Sequence, residues 1–472
     1  MEATCHRFKE ASARALADEQ LQQALRHLRG NFVVRRAQAA ARLPEFDALR
    51  DAARAIKDEA LEHLDLYLER FAAKVEESGG TVHWCSNAAE ARATILDICR
   101  GLGARTVTKG KSMVSEEIGL NDHLAAHGIE PIETDLGEYI IQLRGETPSH
   151  LIAPAIHVTR AQVADAFRAA HTDLDPARAL DEPATLLAEA RDHLRQSFLA
   201  ADVGITGANF LVAETGSTVI VTNEGNGDLT QTLPKAHIVL AGIEKVVPTL
   251  EDVATILRVL ARSATGQEMS VYTTLSTGPR RTGDHDGPAA FHVVLLDNGR
   301  VRMLGSEFRE ALRCIRCGAC LNGCPVYQAV GGHAYGWVYG GPIGAVLSPA
   351  FLGLAAAPDL PQASSLCGRC EDVCPVRIPL PRLLRRWREV AFAARIGAGR
   401  ARVVIRVWVW LARQPRLYRL LTGLAARLLG LAGRRTGAFR FLPFAAGWTA
   451  TRDFPAPEGR TFHSQWQRRA RP

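Results

Sequence analysis

The chain of 472 residues is 47% hydrophobic and 23% charged, the balance of an ordinary globular protein of two or three domains. Its first twenty residues lack an apolar core, and the uncharged stretch 334–358 is broken by glycines, Pro342 and Pro349, so neither a signal peptide nor a membrane helix is expected. The net charge of +7 is uneven: residues 381–472 hold twenty Arg, no Lys and three acids, so this tail carries +17 and the rest −10. Such a tail is drawn to acidic surfaces, whether of a partner protein, anionic lipid or nucleic acid.

Residues 8–76 are alanine-rich, with apolar side chains at helical spacing such as Ile56, Ala60, Leu64, Tyr67 and Phe71, and predict two or three helices. Residues 81–300 alternate between strand-like and helical patterns. Strands are predicted at 81–85, 105–108, 130–133, 139–143, 209–213, 218–222, 237–240 and 292–296. Helices are predicted over 87–100, with Asn87 as N-cap, and over 249–261, opened by Thr249 with Glu251 and Asp252 in the first turn. This alternation predicts a layered α/β domain. Two turn-rich segments, 213–217 and 278–288, lie where binding residues often sit, although the second also reads as a plain solvated loop.

Seven of the ten cysteines follow in two runs. Cys314, Cys317, Cys320, Cys324 and Pro325 read C-x2-C-x2-C-x3-C-P, and Cys367, Cys370, Cys374 and Pro375 read C-x2-C-x3-C-P. This is the spacing of iron–sulfur ligands, in which three cysteines of one run hold a cubane and the fourth crosses to the other cluster. Crossing assigns Cys314, Cys317, Cys320 and Cys374 to one cluster, and Cys324, Cys367 and Cys370 to the other. Ser364 stands where an eighth cysteine would be. That corner is open to the serine oxygen, water, substrate, a partner's residue or no iron at all, and Ser364 equally reads as a simple cap. Cys5, Cys85 and Cys99 are scattered and read as core thiols. Clustered cysteines without an export signal point to a reducing cytoplasm.

Forty-two residues separate Cys324 from Cys367, which predicts helices inserted between the runs. Within them, 330–344 is rich in glycine and aromatics. His333, Tyr335, Trp337 and Tyr339 alternate with period 2 and predict a short extended segment. Glycines there permit close backbone approach, and the aromatics suit a shell that shields a cluster from water. Beyond the runs, 403–412 and 417–431 predict two amphipathic helices among the arginines.

Several long segments carry a resemblance. They are KGKSMVSEEIGLN (109–121), ANFLVAETGSTVIVTNEGNGD (208–228), DGPAAFHVVLLDNGR (286–300), CIRCGACLNGCPVY (314–327), SSLCGRCEDVCPVRIPL (364–380) and ATRDFPAPEGRTF (450–462). Together they closely resemble the lactate utilization protein B family over nearly the whole chain. The resemblance implies an α/β LUD domain, similar to the CoA-transferase and ribose-5-phosphate isomerase group, then an α-helical ferredoxin domain and a basic helical C-terminal tail. The expected boundaries are N-terminal helices at 1–76, the LUD domain at 77–305, the ferredoxin domain with two [4Fe–4S] clusters at 306–390 and the arginine-rich region at 391–472. It further implies that the seven cysteines are the cluster ligands. The expected role is an electron-transfer subunit of a cytoplasmic system oxidising L-lactate to pyruvate. The expected partners are a cysteine-rich redox subunit and a second LUD-domain protein, with peripheral contact to a membrane or acidic partner through 391–472.

No G-x-G-x-x-G after a strand and no P-loop lysine motif is present. Where the substrate is first oxidised is therefore not legible, and no catalytic residue is assigned. Lys109, Lys111, Arg280 and Arg281 are candidate cations for a small carboxylate, and Glu214 a candidate base. Alternatives are an electron carrier for another 2-hydroxy acid such as glycolate, or an acyl- or CoA-transferring enzyme with structural clusters. Nucleic-acid binding is not expected, since no recognised module accompanies the basic tail.

Overall fold

A computed structural model describes residues 3–469 apart from Lys111, Pro176 and Ala398. The chain divides into two units, Met1–Ile396 and Gly397–Pro472. The alanine-rich start forms four helices, not two or three: α1 (Phe8–Ala17), α2 (Glu19–Ala41), α3 (Phe46–Glu62) and α4 (Leu64–Glu77). Asp18 starts α2, its carboxylate accepting the Leu21 N–H at 2.9 Å. A non-helical His63 separates α3 from α4. Apolar periodicity continues across such single-residue joints, so it marks helix content while hiding the breaks.

Among the described residues ten strands of the first unit follow: β1 (Thr81–Cys85), β2 (Thr106–Lys109), β3 (Glu130–Glu133), β4 (Val203–Thr206), β5 (Phe210–Val212), β6 (Ser217–Thr222), β7 (Ala236–Gly242), β8 (Val246–Val247), β9 (Tyr272–Ser276) and β10 (Ala290–Leu296). Six make a wholly parallel sheet in the order β1-β10-β7-β4-β2-β3. The other four make a small sheet in the order β8-β5-β6-β9. The parallel sheet is covered on both faces. β7 sends Ile238 and Leu240 to one side and Val239 and Ala241 to the other, and β10 divides Val294 and Leu296 from Val293 and Leu295 in the same way. Helix Ala88–Gly101 covers the first side with Ala91, Ile95, Leu96 and Cys99, and α4 covers the second with Leu64, Leu68, Phe71 and Val75. Double coverage explains why these strands read as continuous apolar runs. Cys5, Cys85 and Cys99 are buried as expected, and burial pushes the Cys99 thiol up to about 12.

Three further departures from the sequence reading each have a physical cause. The expected strand at 139–143 is part of helix Leu136–Leu143. Asp135 starts it by accepting the N–H groups of Gly137 and Glu138, and the strand-like triplet Tyr139, Ile140 and Ile141 is buried among helices, not in a sheet. Strands β4, β8 and β9 were not expected. In β4, Gly204 weakens the strand pattern, yet a Cβ there would overlap the carbonyl of Thr230. The aromatic segment after Val330 is not extended: a 3-10 turn at His333–Tyr335 and a left-handed Gly336 fold Tyr335, Trp337 and Tyr339 into the core. Gly332 within it lies so close to Ser149 that any side chain would overlap that residue's carbonyl. Helix Gly341–Leu352 then fills the space between the cysteine runs, as the spacer length implied.

The second unit holds helices Gly399–Ala412 and Pro415–Ala432, a two-stranded antiparallel pair at 438–439 and 454–455, and helix Phe462–Arg469. Val403, Val404, Val407, Trp408 and Trp410 are exposed on the first helix, and Leu420, Leu424, Leu428 and Leu431 on the second. Among the described residues no helix is long and apolar enough to cross a membrane.

The Gly204 contact gives a direct check on the sheet. Gly204→Ala should destabilise the protein by about 3 kcal/mol through overpacking against Thr230, read as a lower urea midpoint in circular dichroism.

Candidate functional site

The two cysteine runs are built as the same loop twice, fifty residues apart. Arg316, just before Cys317, has φ +59, and Gly318, just after it, has φ +73. Leu366 and Gly368 flank Cys367 with φ +56 and +87. Each loop then enters a single helical turn, Ala319–Asn322 or Arg369–Asp372, which carries Cys320 or Cys370. Two left-handed residues around one cysteine curl the chain so that successive thiols face a common centre. Cys314 is the extra member of the first loop, and its counterpart fifty residues on is Ser364.

Cys314, Cys317, Cys320 and Cys374 line one apolar cavity together with Ile315, Ile343 and Val376. Burial, followed by the charges of neighbouring thiols, pushes Cys317 up to about 12 and Cys374 up to about 11. Cys320 is raised well above the thiol range by burial and by the charges of Cys314, Cys317, Cys374 and Cys370. These sulfurs can be thiolates together only beside a positive partner. Among the described residues no three His, Cys, Asp or Glu side chains converge to hold a single metal ion. The four cysteines line one cavity, as the ligands of a cluster of several irons would.

Cys324, Cys367 and Cys370 form the second group. Cys370 is pushed up to about 12 by burial and by charge at Cys324 and Cys367. Cys367 is exposed, and the backbone N–H of Arg369 nearby lowers its thiol below the usual range. Backbone N–H groups also point at sulfur elsewhere: Ile378 to Cys374 at 3.3 Å, Ala319 to Cys317, and Tyr327 and Val326 to Cys324. Such bonds stabilise negative charge on sulfur and are one of the levers that set a cluster's potential. The Tyr335 hydroxyl is buried without a hydrogen-bond partner, within reach of the charges of Cys324, Cys320 and Cys370. An orphaned donor beside cysteine sulfurs fits a site that receives an acceptor, as sulfide-bearing clusters provide.

Other elements hold these loops. Arg50 of α3 donates to the carbonyls of Cys374 at 2.8 Å and Asp372 at 2.7 Å, and Arg36 of α2 donates to Val373 at 3.0 Å. Burial brings Arg36 down to about 10. From the side of the parallel sheet, fully buried Arg300 bonds Glu117 through both terminal nitrogens, at 3.0 and 2.9 Å, and Glu244 at 2.6 Å. Glu244 also pairs with Arg316 at 3.4 Å, and the Arg316 guanidinium lies 4.4 Å from the Tyr339 ring centre. Tyr339 donates its hydroxyl to Glu117 at 2.5 Å. Burial alone would raise Glu244, but Arg300 and Arg316 outweigh it and hold the carboxyl at about 2.

The sequence-expected ligands are therefore brought together from both runs, while the candidate substrate residues are not. Lys109 is buried and bonded to Glu133 at 2.6 Å and Glu116 at 2.7 Å, so it is an internal ion-pair partner. Arg280 and Arg281 are exposed on their loop. Lys111 lies outside the described residues. Glu214 accepts the Leu250 N–H at 3.0 Å and so helps begin helix Leu250–Ala264, alongside the Thr249–Asp252 capping box. Ser364 accepts the Leu366 N–H at 3.1 Å. Sequence reasoning missed Arg316 and Lys245, which line a second cavity of about 260 Å³ together with Cys317. Arg316 sits inside the first run, and nothing but its position between two ligands marked it.

Family models match three parts of the chain. A LUD domain matches residues 68–296, a 4Fe-4S dicluster domain 310–378 and the C-terminal region of lactate utilisation protein B 397–471. The chain is 41% identical to lactate utilization protein B of Lysinibacillus sphaericus, covering all of this chain and 98% of that protein. It is 40% identical to the protein of the same name from Bacillus subtilis, covering 96% and 95%. It is also 42% identical to an Escherichia coli protein described as the uncharacterized electron transport protein YkgF, covering 98% and 96%.

The buried ion network makes a stability prediction. Glu244→Gln leaves two buried guanidinium groups short of a carboxylate and should lower the unfolding free energy at pH 7 by about 3 kcal/mol. With the carboxyl held at about 2 against its ordinary 4.5, its contribution is complete above pH 4.5 and fades as pH falls toward 2. Urea unfolding across that range should show the dependence in the parent and a flatter profile in the variant.

Proposed function

The chain belongs to the lactate utilization protein B family, and we propose that it is the iron–sulfur electron-transfer subunit of a cytoplasmic complex oxidising L-lactate to pyruvate. One observation carries this reading: Cys314, Cys317 and Cys320 of the first run and Cys374 of the second line a single apolar cavity. In the proposal these four hold one [4Fe–4S] cluster, and Cys324, Cys367 and Cys370 hold the second. When bound, the clusters supply one-electron steps, and lactate oxidation releases two electrons with two protons, so a pair suits a relay.

The residues of the chain then have distinct tasks. The N–H groups of Ile378, Ala319 and Arg369 stabilise charge on sulfur. Buried Tyr327, Tyr335 and Ile343 keep water from the thiols. Arg36 and Arg50 fix the second loop through its carbonyls, so the cysteines contributed by separate runs stay in register. Exposed Cys367 brings the second group to the surface, the side from which another protein can exchange electrons. The proposed partners are a cysteine-rich redox subunit and a second LUD-domain protein. The basic region 391–472 suits an acidic partner or a membrane surface. The names of the relatives, lactate utilization and electron transport, favour this reading over acyl transfer, as does the helix-starting role of Glu214.

The crossed assignment is tested by alanine substitution. Cys314→Ala and Cys374→Ala should abolish the same EPR signal, Cys324→Ala and Cys370→Ala the other, each with loss of about half the iron. Anaerobic protein with both partners should show cluster reduction on addition of L-lactate. Undiminished growth of a deletion strain on L-lactate would contradict the physiological role.

A further inference from the structure

The parallel sheet reverses its direction of travel between β2 and β4. From β2 the chain crosses to β3 at one edge, and from β4 it crosses the opposite way to β7 and β10. Open α/β sheets take ligands outside the carboxyl ends of the strands at such a reversal. The cavity of about 260 Å³ lies there, lined by Gly110 just after β2 and by Thr206 and Gly207 at the end of β4. It is also lined by Arg316 and Cys317 of the first cysteine loop, so the sheet's expected ligand site and the proposed cluster share a wall.

Among the described residues, two side-chain atoms of that lining lack partners. Arg316 Nη1 is buried without a hydrogen bond, and so is Asn226 Oδ1. The Arg316 side chain is only 10% exposed, and its other terminal nitrogen makes just the long 3.4 Å contact to Glu244. Its left-handed backbone and the Tyr339 ring beneath it fix where the guanidinium points. Lys245, also buried, lines the same cavity. The cavity lining holds two cations, Arg316 and Lys245, and two carboxylates, Glu224 and Asp135, the latter accepting the N–H groups of Gly137 and Glu138. An unmatched guanidinium nitrogen calls for an anionic acceptor, and an unmatched amide oxygen for a donor.

We propose that this cavity binds a small hydroxy-carboxylate, its carboxylate held by Arg316 and Lys245 and its hydroxyl donating to Asn226. The binding follows from the cavity itself; that the bound acid is a substrate rests on the electron-transfer reading. An oxo acid or an unsubstituted acid satisfies the cations but leaves the Asn226 oxygen unpaired, so the site prefers the hydroxyl form. An anion next to Cys317 also makes an electron on the adjacent cluster harder to add, which lowers that cluster's midpoint potential.

The test is isothermal titration of the anaerobically purified, cluster-loaded full chain with L-lactate, glycolate, pyruvate, propionate and inorganic phosphate. L-lactate or glycolate should saturate one site, with pyruvate and propionate weaker by about tenfold or more. Lys245→Met and Asn226→Leu should each weaken hydroxy-acid binding at least tenfold while iron content and visible spectrum match the parent. An EPR-monitored redox titration should show one cluster's potential falling when the acid is present. No saturable binding, phosphate binding as tight as the hydroxy acid, or unchanged affinity in both variants would overturn the proposal; the comparison of acids on the unaltered chain decides it even where a variant misfolds. Lactate-driven reduction by the partners without binding to this chain would sink this inference alone. Binding without any such reduction would instead sink the electron-transfer reading.

Discussion

Arg300 is the charge on which the first unit is assembled. It is fully buried, and Glu117 and Glu244 answer it from two different parts of the LUD domain. An isolated buried guanidinium would be prohibitively costly, so both carboxylates must be in place before the core can close. Glu117 then receives the Tyr339 hydroxyl from the aromatic spacer, and Glu244 pairs with Arg316 inside the first cysteine loop. One buried network thus ties the parallel sheet to the loop that carries Cys314 and Cys317. The placement of those thiols depends on charges far from them in sequence.

A second clasp works from the opposite side. Arg36 and Arg50 project from the N-terminal helices onto carbonyls of the Cys370–Cys374 turn, while Lys57 donates to the carbonyls of Glu244 and Val246. The N-terminal helices therefore grip both the second cysteine loop and the segment around β8. The ferredoxin-like part is not a module hung on a linker, and its loops share a continuous core with α2, α3 and helix Leu250–Ala264. The two cysteine groups differ within that frame. In the first group Cys317 and Cys374 are buried and Cys314 and Cys320 half-buried, while in the second Cys367 reaches solvent. That difference suits an inner site next to the LUD cavity and an outer site open to another protein.

Much of the fold was legible because its signals are local. Asn87 and Thr249 stand as N-caps where their side chains announce them, and the apolar runs of β7 and β10 are the mark of a sheet covered on both faces. The failures share a cause: tertiary context reversed a local preference. Tyr139, Ile140 and Ile141 have strand-forming side chains, yet Asp135 starts a helix under them and neighbouring helices bury all three. The alternating aromatics after Val330 look extended, but close packing against Ser149 folds them into turns. Lys109 looks like a loop cation and becomes an internal ion pair once Glu116 and Glu133 are folded around it.

The two cysteine runs, the α/β alternation and the basic tail are legible in the chain, because each depends on residues close together in it. The fold, in contrast, sets Arg316 against a cavity at the reversal of the sheet and leaves Arg280 and Arg281 in solvent. Those outcomes depend on contacts between distant segments, where burial turns an ordinary arginine or tyrosine into a group that must find a partner. Spacing can name the thiols that suit a cluster, but only packing determines which unpaired donor and acceptor lie beside them.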